Sequence, residues 1–338
     1  MVKITNVHKR HGEDRVTRDE LNGSSLTVLY IAGSGRTGST ILANTLGQLD
    51  DFFAAGELWN IWRRGLTERR KCGCGSAVDV CPVWSAVLQR AFGCPPQRID
   101  ANHLDALARK RLRAREIPRI VAAGRAGSVH GDEYRETLTR LYHAVREVTR
   151  RPVIVDSSKS PMYAALLATL PGVRVQVVHL IRDARAAAFS HGRLRDLPDF
   201  GDQRLMRRER PLTAARRWAK GHAIARGLLP GRVSGFVTIR YEDFIDRPAA
   251  ALGRILALMD RSAALPLVGE RAVRLDPTHS ISGNPARFRT GIAELRLDDE
   301  WRTAMPARDR ALVTAVTWPL LIQYRYPVLR TQRVVLAT

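Results

Sequence analysis

Five short apolar runs, rich in valine and isoleucine, set the frame of the chain: Thr27 to Ala32, Phe52 to Ala55, Pro152 to Val155, Val173 to Ile181 and Phe236 to Arg240. Continuous apolar runs of this length fit strands covered on both faces, and the helical spacing between most of them fits a parallel sheet. The pattern predicts helices within 100–150, over Pro211 to Gly227, and over Ala307 to Gln323, where the following Tyr324-Arg325-Tyr326-Pro327 stops the last one. The predicted fold is α/β, a P-loop-like three-layer αβα arrangement around a mostly parallel sheet of about five strands. A cysteine-containing loop at 70–95 and a helical insert at 100–150 decorate it, and 263–300 is punctuated by Pro and Gly. Residues 1–25 are charged and offer little apolar surface, so they are expected to be loosely attached, leaving 26–330 as one domain.

The polar residues that follow the strands carry the candidate chemistry. The first strand runs into GSGRTGST, Gly33 to Thr40, and then into the helical ILANTLGQL. Strand, Gly-rich turn and helix in that order point backbone N–H groups and a helix N-terminus at an anion. Against the Walker A pattern, Gly33 and Gly38 fall in register and Thr40 fills the Ser/Thr place, but Ser39 stands where the lysine belongs. No convincing carboxylate for magnesium follows, which argues against an ordinary kinase or ATPase. A phosphotransferase that has lost its lysine and a non-catalytic nucleotide-binding protein remain as alternatives. Glu57 follows the second strand, Asp156, Ser157, Ser158 and Lys159 the third, Arg182 and Asp183 the fourth, and Tyr241 the fifth. In open α/β sheets the ligand lies outside the carboxyl ends of the strands, so all five aim polar groups at one place.

Charge adds little by itself. The 338 residues hold 55 Lys and Arg against 33 Asp and Glu, a formal +22, and nearly all the basic residues are arginines scattered from end to end. No basic block or basic stripe interleaved with aromatics is present, so a nucleic-acid partner is not expected, and biased codon usage accounts for the excess as well as function does. The N-terminus lacks an apolar signal core and no segment reaches the ~18 apolar residues of a membrane span, making a cytoplasmic location the default. Cys72, Cys74, Cys81 and Cys94 sit close together in sequence. Four thiolates can close a tetrahedral zinc site, but Cys-x-Cys is tighter than the usual spacing, and a loop with reduced or optionally oxidised thiols is the preferred reading. Of the nine histidines, His179 reads as a core residue and the others show no metal-binding spacing.

From Leu26 to Tyr326 the chain resembles the sulfotransferases that use 3′-phosphoadenosine 5′-phosphosulfate (PAPS), in their bacterial and Golgi-like branch. The resemblance rests most on SGRTGST together with IRDARAAAFS, which repeats the family's arginine and serine eight residues apart. It implies that Ser34, Gly35, Arg36, Thr37, Gly38, Ser39 and Thr40 bind the 5′-phosphosulfate, and that Arg182 and Ser190 bind the 3′-phosphate. It places Tyr241, in RYEDF, beside the adenine, and Gly283, Asn284, Arg287 and Arg289, in HSISGNPARFRTG, in a loop closing over the nucleotide. Glu57, in AAGELW, matches the glutamate base of the Golgi-type members, with Asp156 as the fallback. Lys159 and Arg36 would stabilise the sulfuryl group during in-line transfer. That group carries one negative charge fewer than a terminal phosphoryl group, so no metal is required. The acceptor would be a hydroxyl of a small molecule, carbohydrate or natural product. Nothing in the sequence speaks to oligomeric state.

Overall fold

The structure is a computed structural model that describes residues 26–126, 131–194, 196–200, 204–206 and 208–328. The expectation for 1–25 therefore lies outside the described residues.

The predicted strands form one five-stranded sheet. Strand β1 spans Leu26–Gly33, β2 Phe52–Gly56, β3 Val153–Lys159, β4 Val173–Ile181 and β5 Gly235–Arg240. All neighbours are parallel, in the order β2-β3-β1-β4-β5, so every carboxyl end lies on the same edge. Along β1 the alternation of a pleated strand divides the side chains: Val28, Tyr30 and Ala32 enter the core on one face, Leu29 and Ile31 the core on the other. Both cores are fully covered, which is why the strand reads as a continuous apolar run. Each aliphatic side chain so buried contributes roughly 1.5–3 kcal/mol.

The helices cover the sheet where the spacing puts them. Helix Pro211–Leu228 packs beside β1, and Ala307–Gln323 packs on Pro211–Leu228. The 100–150 insert resolves into helices Ala101–Arg111, Ile117–Ala126 and Glu133–Thr149. The first begins at Asp100, whose carboxylate accepts from the His103 N–H at 2.9 Å, satisfying an otherwise orphaned donor. The cysteine loop contains a further helix, Pro82–Phe92, with proline at its first position and Gly93 in the left-handed conformation at its end. Among the described residues no helix is long and apolar enough to cross a membrane.

Two features depart from the predicted outline. Strand β3 continues through the polar Asp156–Lys159 instead of stopping at Val155, because Asp156 and Ser158 satisfy one another inside the fold. The Pro- and Gly-punctuated region holds a small antiparallel pair, β6 Ala272–Leu275 with β7 Gly291–Glu294. Four-residue strands this polar on one face carry too weak an alternation to be seen in sequence.

Candidate functional site

The Gly33–Thr40 turn leaves β1 between β3 and β4 and feeds helix Ser39–Leu46. Gly38 has φ 83° and caps that helix, and a Cβ there would meet the Tyr241 ring at 2.4 Å. Only glycine allows the turn and the ring to approach this closely. Arg36, also left-handed at φ 66°, carries an ordinary side chain in a conformation that costs about 1–2 kcal/mol. Strain of this kind is concentrated at working sites, and Lys159 at φ 70° repeats it across the same cleft. Thr37 is fully buried and its hydroxyl donates to the Ser34 carbonyl at 2.9 Å. Thr37 and the buried Ser34 thus brace the turn from within and, contrary to the expectation that they bind the donor, do not line the cleft.

The cleft at the carboxyl edge of the sheet has a volume of about 620 Å³. Gly35, Arg36, Gly38, Ser39, Thr40, Glu57, Lys159, Arg182, Ser190, Tyr241, Gly283 and Asn284 all line it, drawn from five strand ends and a distant loop. Among the described residues, Arg64, Arg70, Arg204 and Arg217 raise its basic side chains to seven, against three carboxylates, Glu57, Glu209 and Asp298. A cavity so lined suits a ligand carrying several negative charges.

Arg182 is buried, with its guanidinium 4.8 Å over the Tyr241 ring. It donates to the Arg36 carbonyl at 3.1 Å and to the Asp298 carbonyl at 2.7 Å, and its ion pair with the Asp298 carboxylate measures 3.3 Å. Asp183 is not its partner; it caps helix Ala184–Gly192 and binds Arg185. That helix brings the buried Ser190 to the same cleft.

Glu57, at the end of β2, is held from three sides. Lys159 Nζ donates to Oε1 at 2.5 Å, Asn60 Nδ2 donates to Oε2 at 2.8 Å, and Arg64 lies 3.6 Å from Oε2. Burial alone would push its carboxyl up, but Lys159 and Arg64 together outweigh burial and hold it below the ordinary carboxylate range. Asp156 differs in kind. It is completely buried, accepts from the Ser158 N–H at 2.8 Å and from the hydroxyls of Ser158 and Tyr142, and is pushed up to about 6 by burial. It does not line the cleft, so the fallback base is placed inside the fold.

The late run is divided. Gly283 and Asn284 reach the cleft, where the Asn284 N–H donates to Thr40 Oγ1 at 3.2 Å. Arg287 and Arg289 do not, contrary to the expectation that both close over a nucleotide. Arg287 is 2 % exposed and donates to the Ser280 carbonyl at 3.0 Å, the Lys71 carbonyl at 2.8 Å and the Asp199 carboxylate at 3.1 Å. Three inward partners make it a brace. Arg289 is exposed and lines a neighbouring groove that shares Tyr241 and Asn284.

Sequence reasoning missed several contributors. His191, one residue beyond Ser190, stands against Gly35, where an added Cβ would touch its ring at 3.0 Å. Burial, helped by Arg217, lowers it to about 4, so it is neutral near pH 7. Arg64 and Asn60 follow Glu57 along the 3₁₀ turn Leu58–Asn60 and the π-helical segment Ile61–Thr67, an irregular run whose side-chain directions no period discloses. The cysteines are corrected too: Cys72, Cys74 and Cys81 converge, Cys94 is not among them, and His279, which the spacing gave no role, takes the fourth place.

The chain is similar to a sulfotransferase domain from the curacin biosynthetic pathway, with 18% identity, 90% of this chain and 98% of that chain covered, and a TM-score of 0.49. It is also similar to the sulfotransferase STF9 from Mycobacterium avium, with 14% identity, 92% and 80% coverage, and a TM-score of 0.42. No curated protein matches. The model of the sulfotransferase family matches residues 29–263, from β1 through the end of β5 and beyond, and the chain belongs to that family.

Proposed function

We propose that the chain moves a sulfuryl group from PAPS to a hydroxyl of a small-molecule, carbohydrate or natural-product acceptor. The observation that carries this reading is the meeting, in one arginine-rich cleft, of the Gly35–Thr40 turn, the Arg182 and Ser190 pair and the Glu57–Lys159 pair. The first-turn N–H groups of helix Ser39–Leu46 and Arg36 would receive the 5′-phosphosulfate. Arg182 and Ser190 would take the 3′-phosphate, with Tyr241 beside the adenine. Glu57 would accept the proton of the acceptor hydroxyl as that oxygen attacks sulfur in line. The S–O bond to the leaving phosphate breaks in the same step, and Lys159 and Arg36 offset the charge it leaves behind.

Lys159 then has two partners in turn. While it holds Glu57, the carboxylate is a weak base. As the ammonium turns to the sulfuryl oxygens, the hold is released and Glu57 becomes more basic when a proton has to be taken. The reading is tested by retention on an immobilised 3′,5′-bisphosphate nucleotide, with release by 3′-phosphoadenosine 5′-phosphate (PAP) and not by ATP. Incubation with PAPS and pooled hydroxyl acceptors, followed by mass spectrometry, should show the gain of one sulfuryl group. Equal release by ATP with magnesium would sink the proposal.

A further inference from the structure

We propose that Cys72, Cys74, Cys81 and His279 bind one zinc ion that fastens the cysteine loop to the segment carrying Gly283 and Asn284. This site is separate from the sulfuryl-transfer cleft and does not depend on that reading.

One ligand atom from each of the four residues lies within 4.8 Å of all the others. Three of the six separations are 3.7 Å from Cys74 Sγ to Cys81 Sγ, 3.3 Å from Cys81 Sγ to His279 Nδ1 and 3.9 Å from Cys72 Sγ to His279 Nδ1. A tetrahedral zinc with sulfur at about 2.3 Å and nitrogen at about 2.0–2.1 Å holds its ligand atoms roughly 3.5–3.8 Å apart. The four atoms thus stand close to the corners such an ion requires, and all three cysteines are free thiols. Three sulfurs and one imidazole form a donor set that favours zinc over magnesium or calcium.

The backbone explains how Cys-x-Cys, too short for an ordinary knuckle, serves here. Gly73 lies flat against the 278–280 strip, where an added Cβ would meet the Thr278 carbonyl oxygen at 2.4 Å. Its N–H donates to the Ser280 carbonyl at 3.0 Å. Gly75, at φ 92°, turns the chain back so that its N–H reaches the Cys72 carbonyl at 2.9 Å. Both sulfurs of the pair then face His279. Cys81 caps helix Pro82–Phe92, whose positive end favours a thiolate there. Four protein ligands fill the tetrahedron, so the ion would be structural and would leave no position for substrate.

Its place in the fold gives it a purpose. Two residues beyond His279, Ile281 extends the sheet edge: its N–H donates to the Ala55 carbonyl at 2.8 Å and its carbonyl accepts from the Glu57 N–H at 2.7 Å. Gly283 and Asn284 follow after Ser282. The ion would pin this strip at one end, with Thr40 holding the other through Asn284.

The test is elemental analysis of tag-free protein purified without chelator, expected to give about one zinc per chain as a closed four-ligand site holds. Cys94→Ser should leave that content unchanged, whereas Cys81→Ser and His279→Ala should lose most of it. Cobalt added to the chelator-stripped protein under reducing conditions should produce the thiolate charge-transfer absorption of tetrahedral cobalt. Wild-type protein that contains no zinc and gives no such absorption would overturn the proposal whatever the variants do. So would a Cys74–Cys81 disulfide in the freshly purified chain, or a content that falls with Cys94→Ser.

Discussion

Replacing Arg287 by leucine separates what the family resemblance implies for this residue from what its surroundings say. Its side chain is 1 % exposed and that of Asp199, its ion-pair partner at 3.1 Å, is 4 % exposed. Removing one member of such a pair ordinarily costs about 3–5 kcal/mol, because a charge is left buried and unpaired. Here Arg70 remains 3.7 Å from the same Asp199 carboxylate and takes up part of the deficit. The Lys71 carbonyl also loses its donor, whereas the Ser280 carbonyl keeps the Gly73 N–H. A net loss of about 2–4 kcal/mol follows. With an unfolding entropy near 2.1 cal/mol/K per residue, a chain of 338 residues melts about 3–6 °C lower for that loss. Because Arg287 is outside the cleft, PAP affinity measured by calorimetry below the transition should change by less than about threefold, under 1 kcal/mol. A melting temperature within about 1 °C of wild type, together with a tenfold or greater loss of PAP affinity, would refute the brace and return Arg287 to the nucleotide.

Four further outcomes are expected. Glu57→Gln should keep donor affinity while turnover falls roughly 10²–10⁴-fold, as for loss of a general base, and near-normal turnover would place the base elsewhere. A base must be deprotonated, so a carboxyl held low by Lys159 and Arg64 puts the acid limb of kcat/KM below the ordinary carboxylate range; Lys159→Met should move that limb to higher pH, and an unmoved limb would refute the pairing. Arg182→Ala should weaken PAP binding by about tenfold or more, and unchanged affinity measured by calorimetry would disprove the phosphate clamp. Asp156 binds its proton more tightly folded than unfolded, so its contribution to stability is fully present below about 4 and is lost as pH rises towards about 6. Asp156→Asn, which keeps an acceptor for Ser158, should flatten that dependence in denaturant titrations and spare turnover, whereas a hundredfold loss of turnover would make Asp156 the base.

How much of this was legible in the sequence follows from where each residue sits. The five strands were readable because both faces of the sheet are apolar, so the runs are unbroken, and Val173–Ile181 was placed to the residue. The Gly33–Thr40 turn and Arg182 were readable because strand-end polarity in a parallel sheet has one destination. Arg287 was misplaced because a motif records which residue is present and not which way its side chain turns; Asp199, which turns it inward, is 88 positions away. His279 was invisible as a ligand for the same reason, lying 198 positions from Cys81. The second carboxylate, Asp156, shared a strand end with Lys159, and only depth separates them.

On the proposed reading, the contact between Arg182 and Asp298 would affect the rate at which nucleotide leaves. The arginine proposed to take a phosphate holds an anion of the protein's own, a carboxylate that is 30 % exposed. If Arg182 takes a phosphate as proposed, an incoming nucleotide would exchange one negative partner for another, and a departing one would be displaced from within. Such an internal competitor would weaken the complex with product and hasten its release, a step that limits turnover in many enzymes. On this view Asp298→Asn should bind PAP more tightly and let it go more slowly, and a rapid-mixing measurement showing unaltered release would assign Asp298 to the fold alone.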